Sequence, residues 1–289
     1  MTGSVGLAGG SPPGRWVPGL CSVTFRALAV PAVVDLAAEA GLEAIEWGGD
    51  VHVPPGDVRR AAAAAQSTLA TGLRVGSYGS YLFAGTDLDA DDVARTLDVV
   101  EALGAPWLRL WCPFGIEPGD DEADRAGVTA AVGAVAAAAH DRGVGVYLEF
   151  HGGTLTASAA SARRLLDDVG APNLACAWQP PYWAPEEPDA EAAAVGLLGA
   201  DLAHLHVYAW EPDGTRRPLH SEADRWRRRL AAAGDALAAP ANSAAAACTA
   251  DAVHIDVARP HLALVEFVPG DDPACLADEV ATLRAVLGG

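Results

Sequence analysis

The 289-residue sequence contains no lysine at all; its 19 basic side chains other than histidine are all arginine. That absence excludes lysine Schiff-base chemistry, any P-loop lysine and any lysine-dependent aldolase. Positive charge is scarce altogether, because 38 acidic residues leave a formal net charge of −19. A surface of that sign repels phosphate backbones, so no nucleic-acid partner is expected. No apolar run reaches the roughly 20 residues that span a bilayer, so no membrane association is expected either. The five cysteines, Cys21, Cys112, Cys176, Cys248 and Cys275, are widely spaced and form no CxxC pair. They read as idle thiols, not as a disulfide frame or a zinc knuckle. The N-terminal stretch "MTGSVGLAGGSPPGRW" lacks the early basic residue and apolar core of a signal peptide. Residues 1–15 read as a flexible tail, and the chain as a soluble cytoplasmic protein.

What is present is an alternation. Hydrophobic residues make up 51% of the chain, enough for one large α/β domain over residues 16–289. Strand-like runs fall at Gly19–Arg26, Ala44–Gly48, Arg74–Tyr78, Trp107–Trp111, Gly145–His151, Leu174–Gln179, Ala203–Tyr208 and His261–Phe267. Between them lie helical patterns at Pro31–Ala40, Asp57–Thr71, Ala90–Leu103, Glu122–Asp141, Ala157–Val169, Glu187–Leu198, Ser221–Leu237 and Pro273–Leu287. Eight βα units imply a parallel sheet, and eight is the number that closes a (β/α)8 TIM barrel. The rival doubly wound sheet calls for a glycine-rich turn after the first strand, and "SVTFRALAVP" has none. The Ala-rich stretch 230–260 shows little periodicity and reads as a mobile insertion before the last strand.

Alternate side chains of a barrel strand point inward. One choice of phase puts Glu149, Gln179, His206 and Glu266 at the C-terminal ends of four consecutive strands, on one side of the barrel mouth. Two carboxylates confined together call for a counter-ion, and a divalent metal supplies it. Mixed oxygen and nitrogen ligation suits Mn²⁺, with Mg²⁺, Co²⁺ or Zn²⁺ as alternatives. In "GVGVYLEFHGG", Glu149 then reads as a ligand and His151 as a neighbour that shapes the pocket. The two glycines that follow read as room for close approach of substrate and backbone.

Further candidates ring the mouth. His52 follows the second strand, and Tyr78 ends the third. Arg109 shares a face with Trp111; it either pairs with a core carboxylate such as Glu46, the favoured reading, or binds a substrate oxyanion. Trp111, Tyr182 and Trp183 offer stacking surfaces for a sugar ring, whereas Trp178 faces the outer core. His204, one layer below His206, reads as a buried structural histidine.

The segments "GLEAIEWGGDVHVPPGD", "VGSYGSYLFAG", "WLRLWCP", "VYLEFHGGTLTASAASARRLLDDV", "NLACAWQPPYW", "LAHLHVYAW" and "LALVEFVPGDDPACLADEVATLRAVL", in that order, resemble the xylose isomerase-like barrel superfamily and its sugar phosphate isomerase/epimerase group. The resemblance implies a TIM barrel with a metal held at the positions of Glu149, Gln179, His206 and Glu266. It also marks departures. The ketose epimerases carry Asp at the position of Gln179, a substrate-binding His at that of Tyr182 and an Arg at that of Pro212. Arg216 or Arg217 is placed to serve instead of that arginine. The substrate-binding set is therefore His52, Tyr78, Arg109, Trp111, His151, Tyr182 and Arg217, and the catalytic pair is Glu149 and Glu266.

The leading reading is a metal-dependent isomerase or epimerase of a sugar or related polyol. It works by proton abstraction through a metal-stabilised enediolate. The alternatives are a dehydratase or lyase acting by β-elimination on a keto-sugar or keto-glycoside, and a non-catalytic sugar-binding barrel. A homo-oligomer is left open.

Overall fold

Strand and helix alternate because apolar runs of four to six residues are each followed by an amphipathic, Ala-rich stretch with its own stop and start signals. The computed structural model describes residues 16–85, 87–211, 213–238 and 260–288. The barrel strands are β1 (Val17–Cys21), β2 (Ala44–Gly48), β3 (Arg74–Gly79), β4 (Trp107–Leu110), β5 (Gly145–Leu148), β6 (Leu174–Trp178), β7 (Leu202–Val207) and β10 (Leu262–Val265). The helices are α1 (Val30–Glu39), α2 (Val58–Ala70), α3 (Ala90–Leu103), α4 (Glu122–His140), α5 (Ala159–Val169), α6 (Pro188–Leu198), α7 (Ala223–Ala238) and α8 (Leu276–Leu287). The strands close in the order β1-β10-β7-β6-β5-β4-β3-β2, every pair parallel. This is the single-domain TIM barrel expected from the sequence. A small antiparallel hairpin, β8 (Ala209–Trp210) with β9 (Arg216–Arg217), rises from the end of β7.

Local chemistry sets the boundaries. The Asp89 side chain accepts from the Asp91 N–H to start α3, and Gly104 ends that helix with φ 66°, a conformation a Cβ would disfavour. Helix α5 repeats the device with Ser158 and Gly170. The outward strand faces and the helices form one large apolar layer around Trp47, Leu108, Leu148 and Trp178. Inside the barrel, Val17, Cys21, Ala44, Leu262 and Leu264 fill one side, and Trp107 and Tyr147 fill the other against Ala175, Ala177 and Ala203. Gly19 and Gly76 make room for that filling: a Cβ there would come within 2.8 Å of Leu264 and 2.6 Å of Leu262 respectively. Above these layers the lining turns polar, with Glu46, Ser77, Arg109, Glu149, Gln179, His206 and Glu266 all buried. No helix among the described residues is long and apolar enough to cross a membrane.

Three expectations are corrected. The first strand stops at Cys21, and Ser22–Phe25 form a 3-10 turn instead of continuing it. Residues 230–238 belong to α7, whose apolar face buries Leu230, Ala233 and Ala236. The remainder of the presumed insertion, residues 239–259, lies outside the described residues, as does the N-terminal tail 1–15. The third concerns β3, whose register against β2 shifts so that Ile45 pairs with Val75 but Glu46 with Ser77. A one-residue slip exchanges the two faces of a strand. Ser77 and Gly79 consequently point inward, and Tyr78 packs outward in the helix layer.

Candidate active site

The ends of β5, β6, β7 and β10 bring Glu149, Gln179, His206 and Glu266 into one contiguous cluster. His206 Nδ1 stands 3.3 Å from Glu149 Oε1 and 3.3 Å from Glu266 Oε2. Gln179 Nε2 donates to Glu149 Oε1 at 3.3 Å and to the Phe150 carbonyl at 2.6 Å. That leaves the Gln179 carbonyl oxygen as the atom able to meet a cation. Despite the short separations, both nitrogens of His206 and Oε2 of Glu149 are buried without a hydrogen-bond partner among the described residues. Groups of that kind carry a desolvation cost of about 1–3 kcal/mol each until something satisfies them. A divalent cation held by one His206 nitrogen, Glu149, Glu266 and the Gln179 oxygen would satisfy that nitrogen and the Glu149 oxygen, and the donor set fits one.

Charge is also balanced from below. Arg109, 2% exposed, places Nη1 3.2 Å from Glu46 Oε1 and 3.5 Å from Glu149 Oε2. The favoured internal pair therefore exists, and it corrects the idea that a metal is the sole remedy for repulsion here. The guanidinium is packed beside Tyr81 and Trp111, with its nitrogens committed to carboxylates and to the Gly79 and Ser80 carbonyls. Glu46 also accepts from Ser77 at 2.6 Å and from Tyr147. Burial alone would raise its pKa, but Arg109, His206 and these hydroxyls hold it down at about 2. Burial works against ionised Glu149 as well, and His206 and Arg109 outweigh it, so its pKa lies below the ordinary value. Burial disfavours a charged His206 ring, and the two flanking glutamates override that and raise its pKa well above the usual range.

A second grouping shares His206. Cys21 Sγ, a Glu46 oxygen and a His206 nitrogen all lie within 4.8 Å of one another. Glu46 is already satisfied by Arg109, Ser77 and Tyr147 and by the Cys21 thiol itself, which donates to Oε1 at 3.7 Å, so this set is the poorer cation site of the two. Nothing in the sequence hints at it, because a first strand running through to Arg26 leaves Cys21 an idle thiol; the structure ends the strand at Cys21, in register with Glu46.

The remaining candidates divide. His151, Trp111 and Tyr182 come together at the mouth. The Tyr182 hydroxyl lies 3.1 Å from His151 Nε2, and His151 Nδ1 lies 2.7 Å from the Gly152 carbonyl. That carbonyl can only accept, so Nδ1 carries the proton and Tyr182 donates to Nε2. Trp111 and Trp183 flank the imidazole at 5.3 and 5.4 Å. A Cβ on Gly152 would sit 2.6 Å from Trp183, so this glycine admits a tryptophan. His52 is buried, with its two nitrogens bonded to Ser22 Oγ and the Leu28 carbonyl, both at 3.0 Å; neither is left for a ligand. Tyr78 donates to the Val53 carbonyl in the outer layer. Arg217 is half exposed and 3.6 Å from Glu211, while Arg216 lies over Phe267 and Trp210, beside Glu266. Tyr208, Trp210 and Phe267 complete this aromatic wall and were not foreseen. Phe267 has φ 59°, unusual for any residue but glycine. His204 is buried against Trp107 and Tyr147, as expected, with its pKa lowered by burial to about 3.

A family model described as the xylose isomerase-like TIM barrel matches residues 34–238. The chain belongs to this family. No curated protein sequence matches it. Solved structures of the same fold include D-psicose 3-epimerase from Clostridium cellulolyticum H10, 17% identical with TM-score 0.65, over 94% of this chain and 99% of that one. L-ribulose 3-epimerase is 16% identical with TM-score 0.65, over 95% of each chain. The probable 3-DHS dehydratase AsbF of Bacillus anthracis is 16% identical with TM-score 0.64, over 93% and 98%. At these identities the shared property is the barrel itself.

Proposed function

We propose that the protein is a divalent-metal-dependent isomerase or epimerase of a sugar or sugar-like polyol, with residues 16–289 as its catalytic domain. One observation carries the reading: His206 Nδ1 faces a carboxylate oxygen of Glu149 and another of Glu266 at 3.3 Å, buried and without a hydrogen bond. Glu149, Gln179, His206 and Glu266 would hold the ion, with Mn²⁺ the best match to the mixed donors. When bound, such an ion supplies Lewis acidity to adjacent carbonyl and hydroxyl oxygens. Glu149 or Glu266 takes the proton from the neighbouring carbon, and the electron pair stays on the substrate as an enediolate. The same or the other carboxylate returns a proton to give the isomer or epimer. Arg109 keeps Glu149 ionised and oriented from below. His151, Trp111 and Trp183 exclude water and offer a flat surface to a ring. The buried free thiols Cys21, Cys112 and Cys176 suit a reducing cytoplasm.

The test is solvent-deuterium incorporation, read by mass spectrometry, across ketoses, aldoses and keto-glycosides with Mn²⁺ added. Exchange at a carbon next to the carbonyl supports the reading. Exchange accompanied by loss of water or of a glycosyl group moves it to the lyase alternative. No exchange in any member overturns it.

A further inference from the structure

On the side of the mouth built by β3 and β4, the aromatic lining continues outward beyond the site. Phe83 and Phe114 are the most exposed of the Phe, Tyr and Trp side chains among the described residues, at 36% and 55%, and their rings stand 6.0 Å apart. Both lie against Trp111, at 5.9 and 5.8 Å. Hydrogen-bonded backbone holds them there. Phe83 pairs with Trp111 in a parallel bridge beyond the ends of β3 and β4. The Trp111 N–H donates to the Leu82 carbonyl at 2.9 Å, and the Ala84 N–H to the Trp111 carbonyl at 2.8 Å. Residues paired in this way present their side chains to the same face, and Trp111 shares its face with the inward Arg109. Phe114 is fixed through the next residue. The Gly115 N–H donates to the Gly153 carbonyl at 2.9 Å, which ties the β4–α4 loop to the β5–α5 loop, and the Phe114 ring stands 5.4 Å from His151. This ledge is continuous with the site. The Arg109 guanidinium lies 5.5 Å from the Trp111 ring, and its Nη1 lies 3.5 Å from Glu149 Oε2. His151, on the same strand end as Glu149, is 5.3 Å from Trp111.

We propose that the ledge of Trp111, Phe83 and Phe114 binds an aromatic group carried by the substrate, so that the preferred substrate class is a sugar with an aryl substituent. The proposal deepens the sugar reading above and rests on it: the reacting unit sits at Glu149 and Glu266, and the aryl group extends outward over the two phenyl rings. The chemistry of the ledge selects that group. The phenyl rings have no polar atom, and the single side-chain N–H of Trp111 is spent on the Ser80 carbonyl at 3.1 Å. A second hydroxylated ring or a phosphate would shed water against these three rings with no hydrogen bond from them in return. An aryl face gains contact with rings that are already fixed in place. Size points the same way. A Phe side chain presents about 150–250 Å², so the two partial exposures together leave on the order of 200 Å² open. That is far below the roughly 800 Å² each partner buries in a stable protein interface, and one small aromatic group covers it.

The experiment is calorimetric titration of the full chain with Mn²⁺ added, backed by saturation-transfer NMR. The probes are matched phenyl, cyclohexyl and methyl glycosides of glucose, galactose and xylose. We expect at least one phenyl glycoside to bind about tenfold more tightly than its methyl counterpart, with the cyclohexyl glycoside between them. Phe83 and Phe114 are exposed, so Phe83→Ala and Phe114→Ala leave the core intact. Each should remove most of the phenyl advantage and leave the methyl glycoside affinity unchanged. Equal affinity for phenyl and methyl glycosides, an advantage that survives both substitutions, or no binding by any phenyl glycoside overturns the proposal. Should the advantage survive while either substitution shifts the sedimentation coefficient, the ledge is instead a contact between copies of this chain. The outcome is separable from the fate of the proposed reaction. Phenyl preference without deuterium exchange would sink the reaction alone, and exchange without phenyl preference would sink the ledge alone.

Discussion

Arg109 Nη1 lies 3.5 Å from Glu149 Oε2, with both side chains almost wholly buried, so a fixed positive charge of the protein stands directly beneath a proposed metal-binding carboxylate. The same nitrogen also meets Glu46. Removing it leaves two buried carboxylates facing each other. We expect Arg109→Met to cost about 3–5 kcal/mol in urea unfolding. In a double-mutant cycle with Glu46→Gln, the coupling should exceed about 1 kcal/mol. A fully additive cycle would show that the pair does not share its charge.

The two mouth glutamates are the proposed proton carriers. Glu149→Gln and Glu266→Gln should each lower turnover by roughly 10²–10⁴-fold, with weaker Mn²⁺ retention on gel filtration. Near-normal rates in either variant would eliminate the two-carboxylate mechanism.

Gln179 gives a signed prediction about the metal. Asp at this position turns a neutral hydrogen-bond donor to Glu149 and Phe150 into a second anion. Without metal, Gln179→Asp should melt below wild type, because like charges then meet in a buried space. With saturating Mn²⁺ the gap should close or reverse, so the span between chelated and loaded melting temperatures widens. An unchanged span would remove Gln179 from the coordination set.

Acid stability should report on Glu46. Its carboxyl is held at about 2 against an ordinary 4.5, chiefly by Arg109 working against burial. A folded pKa below the unfolded one means its contribution is complete above pH 4.5 and is lost as the pH falls toward 2. The amount is about 3 kcal/mol. Glu46→Gln should flatten the melting temperature against pH in that window relative to wild type. Parallel curves would contradict the assignment.

These residues also show how far the sequence could be read. β2 and α3 are found at the expected bounds, Ala44–Gly48 and Ala90–Leu103, because short apolar runs and cap residues state them locally. Glu149, Gln179, His206 and Glu266 could be grouped by simple alternation, because the register shift between β6 and β7 lies below the mouth and leaves the phase of the strand ends intact. Tyr78 could not, because the β2–β3 register shift depends on two strands at once and leaves no mark within either. His52 and Arg217 lie on connections, where no periodicity indicates whether a side chain turns in or out. The wall of Tyr208, Trp210 and Phe267 is assembled by the β8–β9 hairpin and the turn after β10, two features with no shared motif.

Phe267 keeps a left-handed backbone that costs an L-residue about 1–2 kcal/mol, and its ring is held under Arg216 and near Trp210. Selection for heat resistance would find an easy gain there, since glycine relieves the backbone at once. The same exchange would unpin the chain next to Glu266. The position is thus one at which a sturdier molecule and a working one pull in opposite directions.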